Sequence, residues 1–197
     1  AAATLGGVTL VGTTVDLDFP VTGGAYQTVF ASPITGMSSG DGFVTRFNAS
    51  GEIVASTYLG ATGNDGAGDV VIDAAGNLIV TGTTSSTNFP TTAGAYDRTY
   101  NAPPVGDNTA ANQDTFIARL TGDLSQLTYG TFFGGQTYEV VLDSIIDANG
   151  FLTIAGGTTS SATGRDIPVT ADAFDSTWNG SEDGFIARFR LDGNGTG

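Results

Sequence analysis

The sequence predicts an all-β fold made of about three repeated units, each a sheet of four antiparallel strands. The first observation is self-similarity, since the tripeptide GTT recurs at Gly12, Gly82 and Gly157, 70 and 75 residues apart. The second is a motif read as DGF, DTF and DGF, which recurs at intervals of 73 and 69 residues. The third is that the residues after this motif alternate between apolar and polar, which indicates strands. A near-constant period of this length indicates a repeat architecture.

The repeats divide the chain into three units within a single domain, residues 1–197. The units cover approximately residues 1–60, 61–134 and 135–197. The first is entered partway through its first strand. The third lacks a counterpart of the last strand, which reads IVASTYLG in the first unit and LTYGTFFG in the second. Because unpaired sheet edges recruit other chains, these incomplete units leave three expectations open: the chain is part of a longer propeller, two copies close a six-bladed ring, or copies join head to tail by strand addition.

Within a unit, short strands are separated by turns. The stretches GAGDVVIDAAGN and YEVVLDSIIDANG each contain an apolar strand with little alternation, which is typical of a strand buried on both faces. Gly76 and Gly150 follow such strands and can adopt the positive φ of a tight turn. Four-stranded sheets repeated around an axis are the blades of a β-propeller, which is the predicted architecture. In the central unit the strands are predicted at 67–73, 78–84, 114–120 and 126–132.

A loop motif recurs after the second strand of each unit. It places a Thr four residues before an aromatic residue, and a hydroxyl there can accept from free backbone N–H groups. We therefore expect each Thr to N-cap a short helical turn that the aromatic residue anchors to the sheet. The pairs are Thr22 with Tyr26, Thr92 with Tyr96, and Thr170 with Phe174.

The run STYLGATGNDGAGDVVIDAAGNLIVTGTTSSTNFPTTAGAY, followed by DTFIARL, resembles the SBBP repeat, a β-propeller repeat of bacterial and archaeal surface and secreted proteins. The resemblance covers essentially the whole chain in about three copies. It implies propeller blades and an extracellular or cell-surface location, and it supplies no catalytic residues. The chain departs from the pattern in the insert at residues 97–113 and in YEVVLDS, where the second unit has GAGDVVI.

Composition excludes several function classes. The formal charge of −14 arises from twenty carboxylates and six Arg, without Lys, so the chain repels nucleic acid. No apolar run is long enough to span a membrane. His and Cys are absent together with Lys, which removes the usual general base and nucleophiles. We predict that the chain is not an enzyme. The less favoured alternative is a hydrolase using a carboxylate pair, either Asp16 with Asp18 or Asp65 with Asp69.

Two Gly-rich loops have a composition that suits Ca²⁺, because oxygen ligands for this ion come from Asp, Asn and backbone carbonyls. No other cofactor is predicted. Neither loop fits the EF-hand pattern, and the alternative is that both are ordinary turns. The candidate ligands are Asn64, Asp65 and Asp69 in GNDGAGD, and Asp192 and Asn194 in LDGNGTG.

Three further sets of residues recur along the chain. Arginines at one strand position are expected to pair with carboxylates, with a ligand channel as the alternative. Loop aromatics are expected to pack inward, with sugar stacking as the alternative. Asn-X-Ser/Thr sequons on turns are candidate glycosylation sites. These sets are Arg46, Arg119 and Arg188; Phe30, Tyr100 and Trp178; and Asn48, Asn179 and Asn194.

Taken together, these features predict an extracellular structural or adhesive subunit. It self-assembles through open blade edges into a closed homo-oligomer or, where the contact does not close, a filament. The alternative is a propeller module that binds carbohydrate or another ligand with its variable loops. Those loops are residues 27–40, 97–113 and 175–182.

Overall fold

The fold is all-β, as the sequence predicts. The computed structural model describes residues 2–4, 7–33, 39–101, 113–159 and 167–192, with the backbone alone for 2–4. All regular structure in these residues is strand, in three antiparallel sheets. None of the described residues belongs to a helix that could cross a membrane.

Each sheet is a meander whose strands pair in chain order. The first sheet contains β1 (Ala2–Thr4), β2 (Gly7–Thr14), β3 (Asp41–Asn48) and β4 (Ile53–Leu59). The second contains β5 (Asp65–Ile72), β6 (Leu78–Thr84), β7 (Asp114–Leu120) and β8 (Leu127–Phe133). The third contains β9 (Glu139–Ile146), β10 (Phe151–Thr158) and β11 (Asp183–Arg190).

The turn between the first two strands of a unit is fixed by an Asp and a Gly. The Asp73 carboxylate accepts from the backbone N–H groups of Ala75 and Asn77 at 2.9 and 2.8 Å. Gly76 has a φ of 83° and Gly150, at the same place in the third sheet, has 80°. Both glycines therefore adopt the positive φ expected of them, which other residues rarely do.

A glycine near the end of each second strand faces a Phe ring of the adjacent third strand. A Cβ at Gly82 would lie 2.7 Å from the Phe116 ring and 2.0 Å from the Gly66 carbonyl oxygen. Pairing register places Gly156, opposite Phe185, at the same position. The structural counterpart of Gly12 and Gly82 in the third sheet is therefore Gly156, which meets the Phe185 ring. The third GTT motif begins one residue later, at Gly157.

The three sheets stack in sequence, with the second between the other two. One core cluster joins the first and second sheets, and another joins the second and third. Fully buried side chains of the first cluster include Val44, Leu59, Leu78, Val80 and Phe116. Those of the second include Ile79, Ile117, Leu152 and Ile154.

The first strand of a unit is not covered on both faces in every sheet. In β9, Leu142 is 74% exposed and Ile145 is 61% exposed. The prediction of burial on both faces is wrong for this strand, because no further sheet in the described residues covers it.

Candidate functional site

The loop after β2 runs beside β4 and forms hydrogen bonds with it. Thr22 N–H donates to the Ser56 carbonyl, and Ser56 N–H donates to the Thr22 hydroxyl, both at 3.0 Å. Further along, Gln27 N–H donates to the Thr57 hydroxyl at 2.9 Å, and Tyr58 N–H donates to the Gln27 carbonyl at 3.1 Å. The predicted N-cap role of Thr22 is wrong, because its hydroxyl accepts from β4 and no helical turn forms there.

The second sheet repeats these contacts with β8. Thr92 N–H donates to the Gly130 carbonyl at 3.0 Å, and Gly130 N–H donates to the Thr92 hydroxyl at 3.1 Å. The Thr131 hydroxyl accepts from Asp97 N–H at 2.8 Å and donates to the Asp97 carbonyl at 2.9 Å. Phe132 N–H also donates to that carbonyl, at 3.0 Å. In both sheets the loop and the fourth strand thus form one hydrogen-bonded unit.

An aromatic side chain of the fourth strand fills a pocket between this loop and the sheet. The Tyr58 ring lies 5.8 Å, centroid to centroid, from both Phe19 and Phe30, and its contact with Phe30 is edge-on. The ring of Phe30 is therefore held by its own sheet, as expected for inward packing. The second sheet has Phe132 in this place, 6.1 Å from Phe89 and 6.0 Å from Tyr100.

The third sheet has no counterpart of β4 and β8 in the described residues, and a cavity of about 760 Å³ opens beside β11. Its lining includes Ile167, Trp178 and Phe185, which correspond to the residues that surround Phe132 in the second sheet. The buried Trp178 Nε1 has no hydrogen-bond acceptor within the described residues. We call the space between β11 and residues 167–178 the third-sheet slot.

The outer face of the third sheet is exposed where the same face of the other sheets is buried. Ile186 is 80% exposed, whereas Val44 and Ile117, at the same position of β3 and β7, are fully buried. Ile145 is 61% exposed and Phe174 is fully exposed. We call Ile145, Phe174 and Ile186 the C-face, because it is the last face in chain order.

The opposite face of the first sheet is also exposed. Val8, Leu10 and Ile53 are 44%, 41% and 39% exposed, and we call them the N-face. Their counterparts in the second sheet pack into the cluster that joins the first two sheets. The N-face therefore corresponds to a surface that a preceding sheet covers elsewhere in the chain. These counterparts are Leu78, Val80 and Leu127.

Buried acidic residues lie at the junctions between sheets. The Asp41 and Asp65 side chains are fully buried on either side of Gly60, where an added Cβ would be 3.0 and 2.9 Å from their oxygens. Asp41 accepts from Ala31 N–H at 2.7 Å and Asp65 from Ala61 N–H at 2.7 Å. Burial raises the pKa of Asp65 to about 6, and the Asp41 charge adds to this rise. Asp114 and Glu139 flank Gly134 at the next junction.

The structure does not bring the candidate Ca²⁺ ligands together. Asp65 faces the junction, whereas Asp69 accepts from the Ser144 hydroxyl of the third sheet at 2.5 Å. The Asn64 side-chain oxygen accepts from Gly40 N–H at 3.1 Å. The Asp192 Oδ2 atom lies 3.6 Å from the Arg190 Nη1 atom, and Asn194 is outside the described residues. No group of three or more acidic side chains with metal-binding geometry occurs within the described ranges.

The repeated arginines have two kinds of partner. Arg119 forms an ion pair with Asp73, and Arg188 forms one with Asp147 at 2.5 Å, each in the turn between the first two strands of its own sheet. Arg46 instead donates to the Gly122 carbonyl of the second sheet. Each of the three arginine side chains therefore contacts a turn, which belongs either to its own sheet or to the next sheet. The three do not form one cluster around a channel.

Of the sequon residues, Asn48 is the half-buried last residue of β3 and Asn179 is exposed, whereas Asn194 is outside the described residues. The Asn48 amide nitrogen donates to the Glu52 carboxylate at 2.8 Å, and the Asn179 amide nitrogen donates to the Asp175 carboxylate at 3.0 Å. A glycan on either nitrogen would replace that contact. Asp16 and Asp18, the alternative acid pair, are both exposed on the loop after β2. They are therefore not enclosed in a buried site.

The fold and the surfaces define the class of protein: an all-β repeat protein of stacked antiparallel sheets, with a slot and two faces of its end sheets exposed. Neither a family model nor a curated protein matches the chain. Sequence reasoning missed the third-sheet slot as a cavity, although the missing last strand of the third unit was the signal that pointed to it.

Proposed function

We propose that the chain is an extracellular structural or adhesive subunit whose copies assemble through their end sheets. In this proposal the three sheets are blades of a β-propeller. The C-face of one copy packs on the N-face of the next, as the first sheet packs on the second within the chain. The observation that carries the proposal is Ile186, 80% exposed at a position where Val44 and Ile117 are fully buried.

The physical support is the hydrophobic effect. Fully burying a Val, Leu, Ile or Phe side chain contributes roughly 1.5–3 kcal/mol, and each copy exposes three such side chains on either face. The two faces are different surfaces, so the contact is heterologous and produces a ring or a filament. The extracellular location rests on the resemblance to surface and secreted propeller repeats.

The test uses two variants that each block one face. Leu10→Asp places a carboxylate on the N-face, and Ile186→Asp places one on the C-face. Burying an unpaired charge costs several kcal/mol, so each variant alone keeps only one competent face and stays a single chain. Mixed together, they form a one-to-one pair, because the intact C-face of the first meets the intact N-face of the second.

The measurement is native mass spectrometry with light scattering, at an ionic strength that screens the repulsion between copies of charge −14. Val29→Asp is the matched control, since Val29 is 72% exposed and lies on neither face. Wild type and control assemble beyond one chain. A wild type that stays a single folded chain at high protein concentration, or variants that do not pair, would refute the proposal.

A further inference from the structure

Two Asn-Gly pairs, Asn149-Gly150 and Asn179-Gly180, lie within the described residues. In such a pair the backbone nitrogen of the glycine can attack the side-chain amide carbon of the asparagine. Glycine favours this reaction because it has no Cβ to hinder the approach and its backbone adopts a wide range of conformations. A hydrogen bond donated by the glycine N–H opposes the reaction, because that bond must break before the nitrogen can attack. The two pairs differ in this respect.

The first pair is closed within the turn between β9 and β10. Gly150 N–H donates to the Asp147 carbonyl at 3.0 Å. The Asp147 carboxylate accepts from Asn149 N–H at 2.8 Å and from Phe151 N–H at 3.0 Å. Attack by the Gly150 nitrogen therefore requires its hydrogen bond to break, which slows the reaction roughly fivefold.

The second pair lies in the loop that precedes β11 and is open. Asn179 is exposed, and a Cβ added at Gly180 would meet no atom within 4 Å. No described residue accepts a hydrogen bond from the Gly180 N–H. The Asn179 Nδ2 atom donates to the Asp175 carboxylate at 3.0 Å and to the Thr177 carbonyl at 2.9 Å. These contacts restrain the amide only weakly, because water competes for them at the exposed surface.

We propose that Asn179 is a site of spontaneous deamidation, in which the Gly180 backbone nitrogen attacks the Asn179 Cγ atom. The N–Cγ bond forms and the Cγ–Nδ2 bond breaks. The proton of the Gly180 N–H leaves with the side-chain nitrogen as ammonia. One water molecule then opens the resulting succinimide ring at either of its carbonyls, which leaves aspartate or isoaspartate in place of Asn179. The reaction needs no oxidant or reductant and does not depend on assembly of copies.

Deamidation changes both the charge and the contacts of this loop. Hydrogen bonds from Thr177 and Asn179 hold the pKa of Asp175 below 3.8, so its carboxylate is ionised at neutral pH. The new carboxylate therefore replaces a hydrogen bond to Asp175 with repulsion between like charges. The isoaspartate product also lengthens the backbone beside the contact of 2.7 Å between Asn179 N–H and the Asp183 carboxylate. Either product removes the acceptor of the Asn179 sequon.

The chain contains a matched control in the second sheet. Asn101 occupies the same place as Asn179, and its Nδ2 atom donates to the Asp97 carboxylate at 2.6 Å. Its backbone N–H donates to the Asp114 carboxylate at 2.8 Å. The residue that follows Asn101 is Ala102 rather than Gly. Comparison with Asn101 therefore tests the requirement for glycine, and comparison with Asn149 tests the requirement for an open N–H.

The folded chain is incubated at neutral pH in water enriched in heavy oxygen, which labels only the products formed during incubation. Trypsin cleaves after arginine and places Asn101, Asn149 and Asn179 on different peptides, whose conversion is measured by tandem mass spectrometry. We expect Asn179 to convert roughly fivefold faster than Asn149 because its N–H is open. We expect it to convert about tenfold or more faster than Asn101 because glycine follows it.

Two further measurements isolate the cause. In guanidinium chloride the turn that closes Gly150 is lost, so Asn149 and Asn179 are expected to convert at the same rate. Gly180→Ala is expected to slow conversion of Asn179 about tenfold or more, because the methyl group hinders attack. Circular dichroism checks that this variant keeps the fold, as the open space at Gly180 predicts.

Three results would overturn the proposal. One is an Asn179 that keeps its amide in the folded chain while the unfolded chain converts. Another is equal conversion of Asn149 and Asn179 in the folded chain, since the hydrogen bond of Gly150 would then not decide the site. The third is a product without isoaspartate, or an unchanged rate in Gly180→Ala, since water would then attack the amide directly.

Discussion

Asp65 makes the stability of the protein depend on pH in an unusual direction. Its side chain is fully buried and its pKa rises from the ordinary value of 3.8 to about 6, first because of burial and then because of the Asp41 charge. Hydrogen bonds from Thr84, Ala61 and Ser86 oppose the rise without cancelling it. The folded chain therefore holds a proton at pH values where the unfolded chain has released it.

The sign of the effect follows from proton binding. Between about pH 4 and 6 the folded state binds more protons at this site than the unfolded state, so the free energy of unfolding falls as pH rises. The contribution is fully present below pH 3.8 and is lost through pH 6. A shift of two pKa units corresponds to roughly 3 kcal/mol.

Acidic groups with lowered pKa act in the opposite direction at lower pH. Burial alone would raise the pKa of Asp73, but hydrogen bonds from Asn77 and the charge of Arg119 lower it. The stability that Asp73 contributes is lost as pH falls through its lowered pKa, which lies under 3.8. The range from pH 4 to 6 therefore reports mainly on Asp65.

The assay is urea unfolding of wild type and Asp65→Asn across pH 4–7, followed by tryptophan fluorescence and circular dichroism. Wild type is expected to lose up to roughly 3 kcal/mol over this range, and Asp65→Asn to lose far less. Asp16→Asn is the matched control, because Asp16 is exposed, and it should keep the wild-type slope. A wild-type stability that is constant or rises between pH 4 and 6 would refute the reasoning.

Two further predictions concern stability. Gly82→Ala is expected to destabilise the chain by about 3 kcal/mol or more in urea unfolding, because the new Cβ would overlap backbone and ring atoms. Gly180→Ala, with open space around it, stays within about 0.5 kcal/mol, and a comparable loss in both would contradict the packing argument. Arg119→Ala costs about 1–3 kcal/mol because it leaves Asp73, 9% exposed, without its cation. Arg188→Ala, in the more exposed pair, costs under about 1 kcal/mol, and the reverse order would count against this ranking.

The strands were predictable where local pattern and pairing agree. The predicted strands 78–84 and 114–120 coincide with β6 and β7, and β8 differs by one residue at each end. β5 begins at Asp65, two residues earlier than predicted, because Gly66 and Gly68 read as turn residues. Gly66 instead leaves room for Thr13 of the first sheet, where a Cβ would lie 2.8 Å from its hydroxyl. That neighbour is set by sheet stacking, which local sequence does not encode.

The site was less predictable than the fold. The role of Thr22 depends on which strand lies beside its loop, so a capping rule based on neighbours in sequence gave the wrong partner. The Asp41 and Asp65 carboxylates lie close together because two sheets meet at Gly60. The alternation and turn pattern predicted four strands per complete unit, and that count drew attention to the last strand that the third unit lacks.

The stacking order also determines how the fold loses structure. In the described residues each core cluster joins two neighbouring sheets, so stability is approximately a sum of sheet terms and nearest-neighbour terms, as in other repeat proteins. Within the described residues, two of the three sheets are end sheets with one uncovered face. Within this part of the chain, we therefore expect the first and third sheets to unfold before the second. In the assembly that we propose, each joined pair of copies would cover one exposed face of each copy, and we expect the cooperativity of unfolding to rise with the number of copies.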